Sequence, residues 1–195
     1  MDSFDIQSVI DFFNSLAPRW DEGTQRNEAA ISFIMDAAGI RPGIQVLDVA
    51  CGTGVLFPDY LSRGVGHLTA IDVSPEMARR AQEKFPFVDV ICGNVETWPF
   101  YRTFDSVVVY NAFPHFPVFR RAVRELASLT SPGGRLTVAH GMSLEQLRSH
   151  HSGAASRISR EMLEPGELAE LMAPYCAVDI TVSDSEKYVV SGVRL

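Results

Sequence analysis

Residues 46–56 read VLDVACGTGVL, an apolar run that ends in an acid and passes straight into a glycine-rich turn. The run begins two residues earlier, after the turn RPG at 41–43, and IQVLDV (44–49) is apolar up to its acid but for Gln45. That is the pattern of a strand buried on both faces of a parallel sheet. A glycine turn at the carboxyl end of such a strand leads into a helix N-terminus, where backbone N–H groups face a crevice able to hold a ligand.

On either side the chain alternates. Upstream, Asn27 is a good N-cap, and Ile31, Ile34, Met35 and Ala38 fall at helical spacing before Gly39. Downstream, 55–62 reads as a helix, HLTAIDV (67–73) as a strand, and 75–85 as a helix with Ser74 as cap and Pro75 at its first position. VDVICG (88–93), FDSVVVY (104–110) and GGRLTVAH (133–140) are further strands, with a helix marked by Val118, Phe119, Ala122, Val123 and Leu126 before the last of them. Strand alternating with helix implies a doubly wound α/β sheet with right-handed crossovers. Helical pieces at 144–150 and 165–172 then precede two strands, AVDITVS and KYVVSGVRL, whose joint DSE is short enough only for an antiparallel hairpin. Five parallel strands followed by a hairpin are unusual for a dinucleotide fold.

The glycine turn itself separates two ligands. A dinucleotide fingerprint would need glycine at 57 after Gly52 and Gly54, and the residue there is Phe57, which disfavours a pyrophosphate. AIDVSPEM (70–77) closes the second strand with Asp72, where a carboxylate can accept from both hydroxyls of one ribose. GNVETWPF (93–100) brings Asn94 to the same rim.

With these motifs in this order, the chain resembles the class I S-adenosylmethionine-dependent methyltransferases, nearest to the small-molecule enzymes of the ubiquinone/menaquinone-methyltransferase type. The resemblance is close over residues 41–140 and extends to the terminal hairpin by topology. It implies a Rossmann-like seven-stranded sheet in the order 3-2-1-4-5-7-6 with an antiparallel last strand, and S-adenosylmethionine as cofactor. LDVACGTG (47–54) is similar to the family's loop around the methionine moiety, which places Asp48, Ala50, Cys51, Gly52 and Gly54 at the cofactor. Asp72, with Val73 beside it, matches the ribose acid, Met77 the residue that packs on adenine, and Asn94 and Val95 the pair at the adenine edge. LTSPGGRL (129–136) is similar to the family's turn before strand five. Two departures stand out: Ala50 replaces the first glycine, which is harmless only at negative φ, and Asn94 replaces the usual Asp, its amide oxygen still able to accept from the adenine amine.

A methyl on a sulfonium is already activated, so proximity of a nucleophile supplies much of the catalysis, roughly 7–11 kcal/mol. After the fourth strand the chain reads YNAFPHF (110–116) rather than the N-P-P-Y of enzymes that methylate nucleobases or glutamine. Tyr110, Asn111, His115 and His140 sit at the ends of two neighbouring strands. His115 and His140 are the candidate catalytic bases for an O–H or S–H acceptor, with Asn111 also at the cofactor. No carboxylate or thiolate completes a metal shell beside them, so no metal is expected. His67 reads as structural, and at most one of His150 and His151 is expected to point inward. A binding subunit without turnover would not need this polar rim. That class, and a nicotinamide oxidoreductase, remain the alternatives.

Ile6, Val9, Ile10 and Phe13 form an apolar helical stripe before Pro18 and Trp20. Either this segment packs on the body or, as in related enzymes, residues 1–26 form a lid with Trp20 on the cofactor. The chain is expected to be one domain over 1–195, with a cofactor-binding core over 27–140 and a helical insertion and hairpin over 141–195. A net charge of -7 argues against nucleic acid and anionic lipid, and Arg120, Arg121 and Arg124 read as a solvated helix face. Cys51, Cys92 and Cys176 form no C-x-x-C pair, no apolar run nears ~20 residues, and the acidic N-terminus is unlike a signal peptide. These features predict a reduced cytoplasmic protein acting on a small-molecule methyl acceptor, its oligomeric state open.

Overall fold

A computed structural model describes residues 5–22, 26–150 and 153–195, the side chains of 150 and 153–155 excepted. His151, and the side chain of His150, therefore lie outside the described residues. Seven strands form one sheet: β1 (Gln45–Val49), β2 (His67–Asp72), β3 (Asp89–Cys92), β4 (Phe104–Tyr110), β5 (Thr130–His140), β6 (Cys176–Ser183) and β7 (Tyr188–Arg194). Their order is β3-β2-β1-β4-β5-β7-β6, as the resemblance implies. The pairs from β3 to β5 are parallel, and β7 runs antiparallel between β5 and β6. The order reverses between β1 and β4, which opens a crevice at their carboxyl ends.

The helices are α1 (Ile6–Leu16), α2 (Glu28–Ala37), α3 (Phe57–Ser62), α4 (Pro75–Lys84), α5 (Phe119–Leu129), α6 (Leu144–His150) and α7 (Pro165–Met172). Both expected caps form: Asn27 Oδ1 accepts from Ala30 N at 3.1 Å, and Ser74 Oγ from Met77 N at 3.2 Å. Helix α3 begins at Phe57 rather than 55 because the glycine turn continues through Leu56.

Strand alternation sorts the core onto two faces. Leu47, Val49, Val107, Val109, Leu136, Val138 and Val190 pack with α5 and α7, whereas Val46, Ala70, Val108, Ala139 and Val189 pack with α2 and α3. Burial of the central strands on both sides is why their sequences read as unbroken apolar runs. At the carboxyl end of α2, the carbonyls of Ala38 and Ala37 accept from the buried hydroxyls of Ser106 and Ser191, each at 2.9 Å, which fastens that helix end to the sheet.

Three 3₁₀ turns carry no periodic signal in the sequence: Ala17–Glu22, Phe113–His115 and Gly153–Ile158. All three lie outside the sheet, and two of them supply residues to the crevice.

Candidate active site

The crevice is a cavity with about 1240 Å³ of atom-free space, its open mouth included.

One end is made by backbone. The turn after β1 places Ala50, Gly52 and Gly54 at φ of 55°, 55° and 84°. Gly52 N donates to Asp72 Oδ2 and Ser74 N to Asp72 Oδ1, both at 2.8 Å, so two amides aim the carboxylate from the end of β2. Burial pushes Asp72 up to about 6 against the downward pull of those two N–H groups. Asp48, one strand away on the same face, is pushed well above the usual carboxylate range, chiefly by burial and further by the charge of Asp72. Met77, Val73, Asn94, Val95 and Gly93 complete this end. A Cβ on Gly93 would lie 2.5 Å from the Trp98 ring, so only glycine lets that ring close against the strand end.

The other end is made by side chains from separate segments. Ile6, Val9 and Phe13 of α1, Trp20, Asn111, His115, Phe116 and Pro117 line it. Phe13 packs edge-on to both His115 (4.9 Å) and Trp20 (5.7 Å). His115 Nδ1 lies 3.1 Å from the Ile158 carbonyl and 3.0 Å from Ser159 Oγ. A carbonyl only accepts, so Nδ1 carries the proton and the Nε2 lone pair is the basic one. Asn111 adopts φ 55° and its Oδ1 accepts from Gly141 N at 3.0 Å, joining the ends of β4 and β5.

Of the residues expected at the cofactor, Trp20, Asp48, Ala50, Cys51, Gly52, Asp72, Val73, Met77, Asn94, Val95 and Asn111 line the cavity, and so does His115. Gly54 does not. Its left-handed φ turns the chain, and a Cβ there would meet the Phe57 ring at 2.7 Å, so this glycine serves the turn and the packing of α3. His140 is a second correction. It shares with Leu136 and Val138 the face under α5 and α7, is 0% exposed, and packs edge-on against Tyr188 at 5.9 Å, away from the cavity lining. Ala50 is a third: its φ is positive, so the departure from glycine carries backbone strain of about 1–2 kcal/mol. Asn94 Oδ1 accepts from Glu96 N at 2.9 Å and keeps a second lone pair.

Sequence reading missed two charged lining residues. Arg26 bonds the Val55 carbonyl, and its ion pairs with Glu28 (2.8 Å) and Asp59 (2.9 Å) raise its pKa further. A lone arginine in a linker gives no pattern to find. Glu96 is held bidentately by Arg121 at 2.7 Å on both arms, its side chain 2% exposed. The run Asn94-Val95-Glu96 at a strand end was the signal for it. Among the described residues, no group of three or more His, Cys, Asp or Glu is placed to hold a metal ion, and no helix is long and apolar enough to cross a membrane.

Residues 46–134 match a family described as methyltransferase domain. The chain is 32% identical over 139 residues to demethylmenaquinone methyltransferase of Renibacterium salmoninarum, covering 67% of this chain and 57% of that protein. It is 34% identical over 142 residues to ubiquinone biosynthesis O-methyltransferase of Xanthomonas campestris pv. campestris, covering 67% and 59%. The chain thus spans less than two thirds of the length of these curated relatives. Two solved structures share the fold: magnesium protoporphyrin IX methyltransferase from Synechocystis PCC 6803 with bound S-adenosylhomocysteine, at TM-score 0.73, 18% identity and coverage of 98% and 100%, and N-methyltransferase NodS from Bradyrhizobium japonicum, at 0.76, 12%, 96% and 98%.

Proposed function

Because this chain belongs to the class I S-adenosylmethionine-dependent methyltransferases, we propose that it methylates a small, planar, largely apolar acceptor bearing an ionisable hydroxyl. The observation that carries the reading is the Asp72 carboxylate, aimed by Gly52 N and Ser74 N at one end of a cavity whose other end is aromatic and holds His115.

The residues fit the cofactor. Each Asp72 oxygen has a lone pair beyond the one its backbone amide uses, and these would accept from the two ribose hydroxyls. Met77 and Val95 offer apolar walls to an adenine, and the Asn94 amide a polar group to its edge. Gly52 has no side chain to fill the space toward Trp20, whose Nε1 would lie 3.8 Å from a Cβ there. Arg26 and Asp48 suit the carboxylate and ammonium of an amino-acid group. Bound S-adenosylmethionine supplies a methyl activated by its sulfonium, which needs a nucleophile about 3 Å away.

Phe13, Phe116 and Pro117 would hold a ring, and His115 Nε2 would take the proton of its hydroxyl while Ile158 and Ser159 keep the tautomer. The two curated relatives, named for demethylmenaquinone and ubiquinone biosynthesis, support a ring acceptor. The net charge of -7 supports a small molecule over nucleic acid, in a cytoplasmic setting. Residues 1–26 act as the cover, 27–140 as the cofactor-binding core, and 141–195 as the insertion that orients His115.

Calorimetry with S-adenosylhomocysteine and NAD tests the cofactor, and release of S-adenosylhomocysteine over phenols, thiols and amines tests the acceptor. Binding of S-adenosylhomocysteine with turnover on phenols is expected. Tight NAD binding without a response to S-adenosylhomocysteine would sink the reading, and binding without turnover on any acceptor would make the chain a binding subunit.

A further inference from the structure

We infer that Asn14, on the helix covering the cavity, is a positioning residue for the nucleoside half of the cofactor, acting through Ser74. The inference rests on the proposed function above and concerns a residue that contributes nothing to the cavity wall itself. Asn14 Oδ1 accepts from Ser74 Oγ at 2.7 Å and from Glu76 N at 3.2 Å. Ser74 is 0% exposed, and its hydroxyl has one proton, which goes to Asn14. The Ser74 oxygen is thereby left to accept from Met77 N at 3.2 Å, while Ser74 N donates to Asp72 Oδ1 at 2.8 Å. One side-chain amide thus holds, through the Ser74 hydroxyl and the Glu76 amide, the turn that carries both the Ser74 N–H bonded to Asp72 and the start of the helix bearing Met77.

A second polar link pins the same N-terminal segment beside the glycine turn. Asp21 accepts from Thr53 Oγ1 at 2.6 Å and from Lys84 at 3.0 Å. That link stays intact when Asn14 is changed, so the effect of Asn14 separates from loss of the whole cover. Removing the acceptor leaves the buried Ser74 hydroxyl and the Glu76 amide to find new partners. The Ser74 proton then competes for other acceptors, and the turn from Asp72 to Met77 loses its single geometry.

The experiment compares binding of S-adenosylhomocysteine and of 5′-methylthioadenosine, which keeps the nucleoside and lacks the amino acid, to wild type, Asn14→Ala and Asn14→Asp. Circular dichroism confirms that each variant is folded. Asn14→Ala is expected to weaken both ligands by the same factor, about tenfold, and Asn14→Asp, which keeps an oxygen for both donors, to restore both to within about threefold. Unchanged affinities in Asn14→Ala overturn the inference. So does weakening of S-adenosylhomocysteine alone, which would locate the effect in the amino-acid half, and so does failure of Asn14→Asp to rescue. Wild type that binds neither ligand overturns the proposed function, and this inference with it.

Discussion

The two ends of the cavity are built by different means. At the Asp72 end the working groups sit on strand ends or the turns directly after them, so the parallel ladders β1–β2 and β2–β3 set their positions. At the His115 end the lining comes from α1, a 3₁₀ turn after β4 and, through Ile158 and Ser159, a segment beyond β5. No ladder joins these three. A hydrogen-bonded ladder transmits position through covalent geometry and register, whereas the second end depends on side chains packing correctly. The first end should therefore tolerate loss of the His115 side chain, while its link to α1 runs through Asn14 and Ser74.

The largest expected effect breaks the acceptor end alone. His115→Ala should lower turnover on a hydroxyl acceptor by about 10²–10⁴-fold while the affinity for S-adenosylhomocysteine stays within about twofold. His140→Ala should instead lower the unfolding temperature and leave turnover of the folded enzyme nearly intact, because the ring belongs to the core. Steady-state kinetics beside calorimetry and thermal melts reads both. Full activity in His115→Ala would leave proximity as the sole driver.

Next in size is Asp72→Ala, which should cost at least about 3 kcal/mol in cofactor binding through two lost charge-assisted acceptor sites. It should also lower stability, since the N–H groups of Gly52 and Ser74 lose their acceptor. Asp48→Ala should cost less binding, and unchanged affinity in Asp72→Ala would refute a nucleoside at this end.

A smaller effect comes from pH. The carboxyl of Asp72 is raised from 3.8 to about 6 in the folded protein, so the native state holds a proton that the unfolded chain has released. Its ionisation costs stability as pH rises between those values. A ligand donating two hydroxyls needs the ionised form, so affinity for S-adenosylhomocysteine should fall as pH drops below about 6, approaching tenfold per pH unit for one linked proton. Asp48, also raised, adds its own slope, and an Asp48→Asn background isolates that of Asp72. Titration calorimetry from pH 5 to 8 measures it, and a flat profile contradicts it.

The smallest effect sharpens the view of the ladder-built end. Ala50→Gly relieves a left-handed alanine at about 1–2 kcal/mol and gives back part of it as unfolded-state entropy. The net gain should be about 0.5–1 kcal/mol, or roughly 1–4 °C in Tm, with cofactor affinity unchanged. A lowered Tm would show that the methyl packs usefully despite the strain.

The contrast between the two ends also marks what could be read in advance. Gly52, Asp72 and Asn94 were legible because each stands at or just after the end of a strand-length run, whereas Asp48, Met77 and Val95 were placed by the family resemblance. Arg26, Glu96 and Phe116 were not singled out, since a residue in a linker or after a turn takes its direction from what it meets in space. His140 shows how the same argument fails. Its place at a strand end was right, but period-two alternation sent it to the face beneath α5 and α7, and the even positions Leu136 and Val138 already pointed that way.

The sequence by itself determined the succession of strands and helices, the terminal hairpin and the placing of Asp72 and Asn94 at strand ends. These follow from periodicity, from glycine at left-handed turns and from caps, which are interactions between near neighbours in the chain. Only the tertiary structure decided that α1 covers the cavity, that Asn14 holds Ser74, and that Ile158 and Ser159 set the tautomer of His115. Those contacts join residues 43 to 60 positions apart. Such contacts depend on how separate elements pack, and no local pattern encodes them.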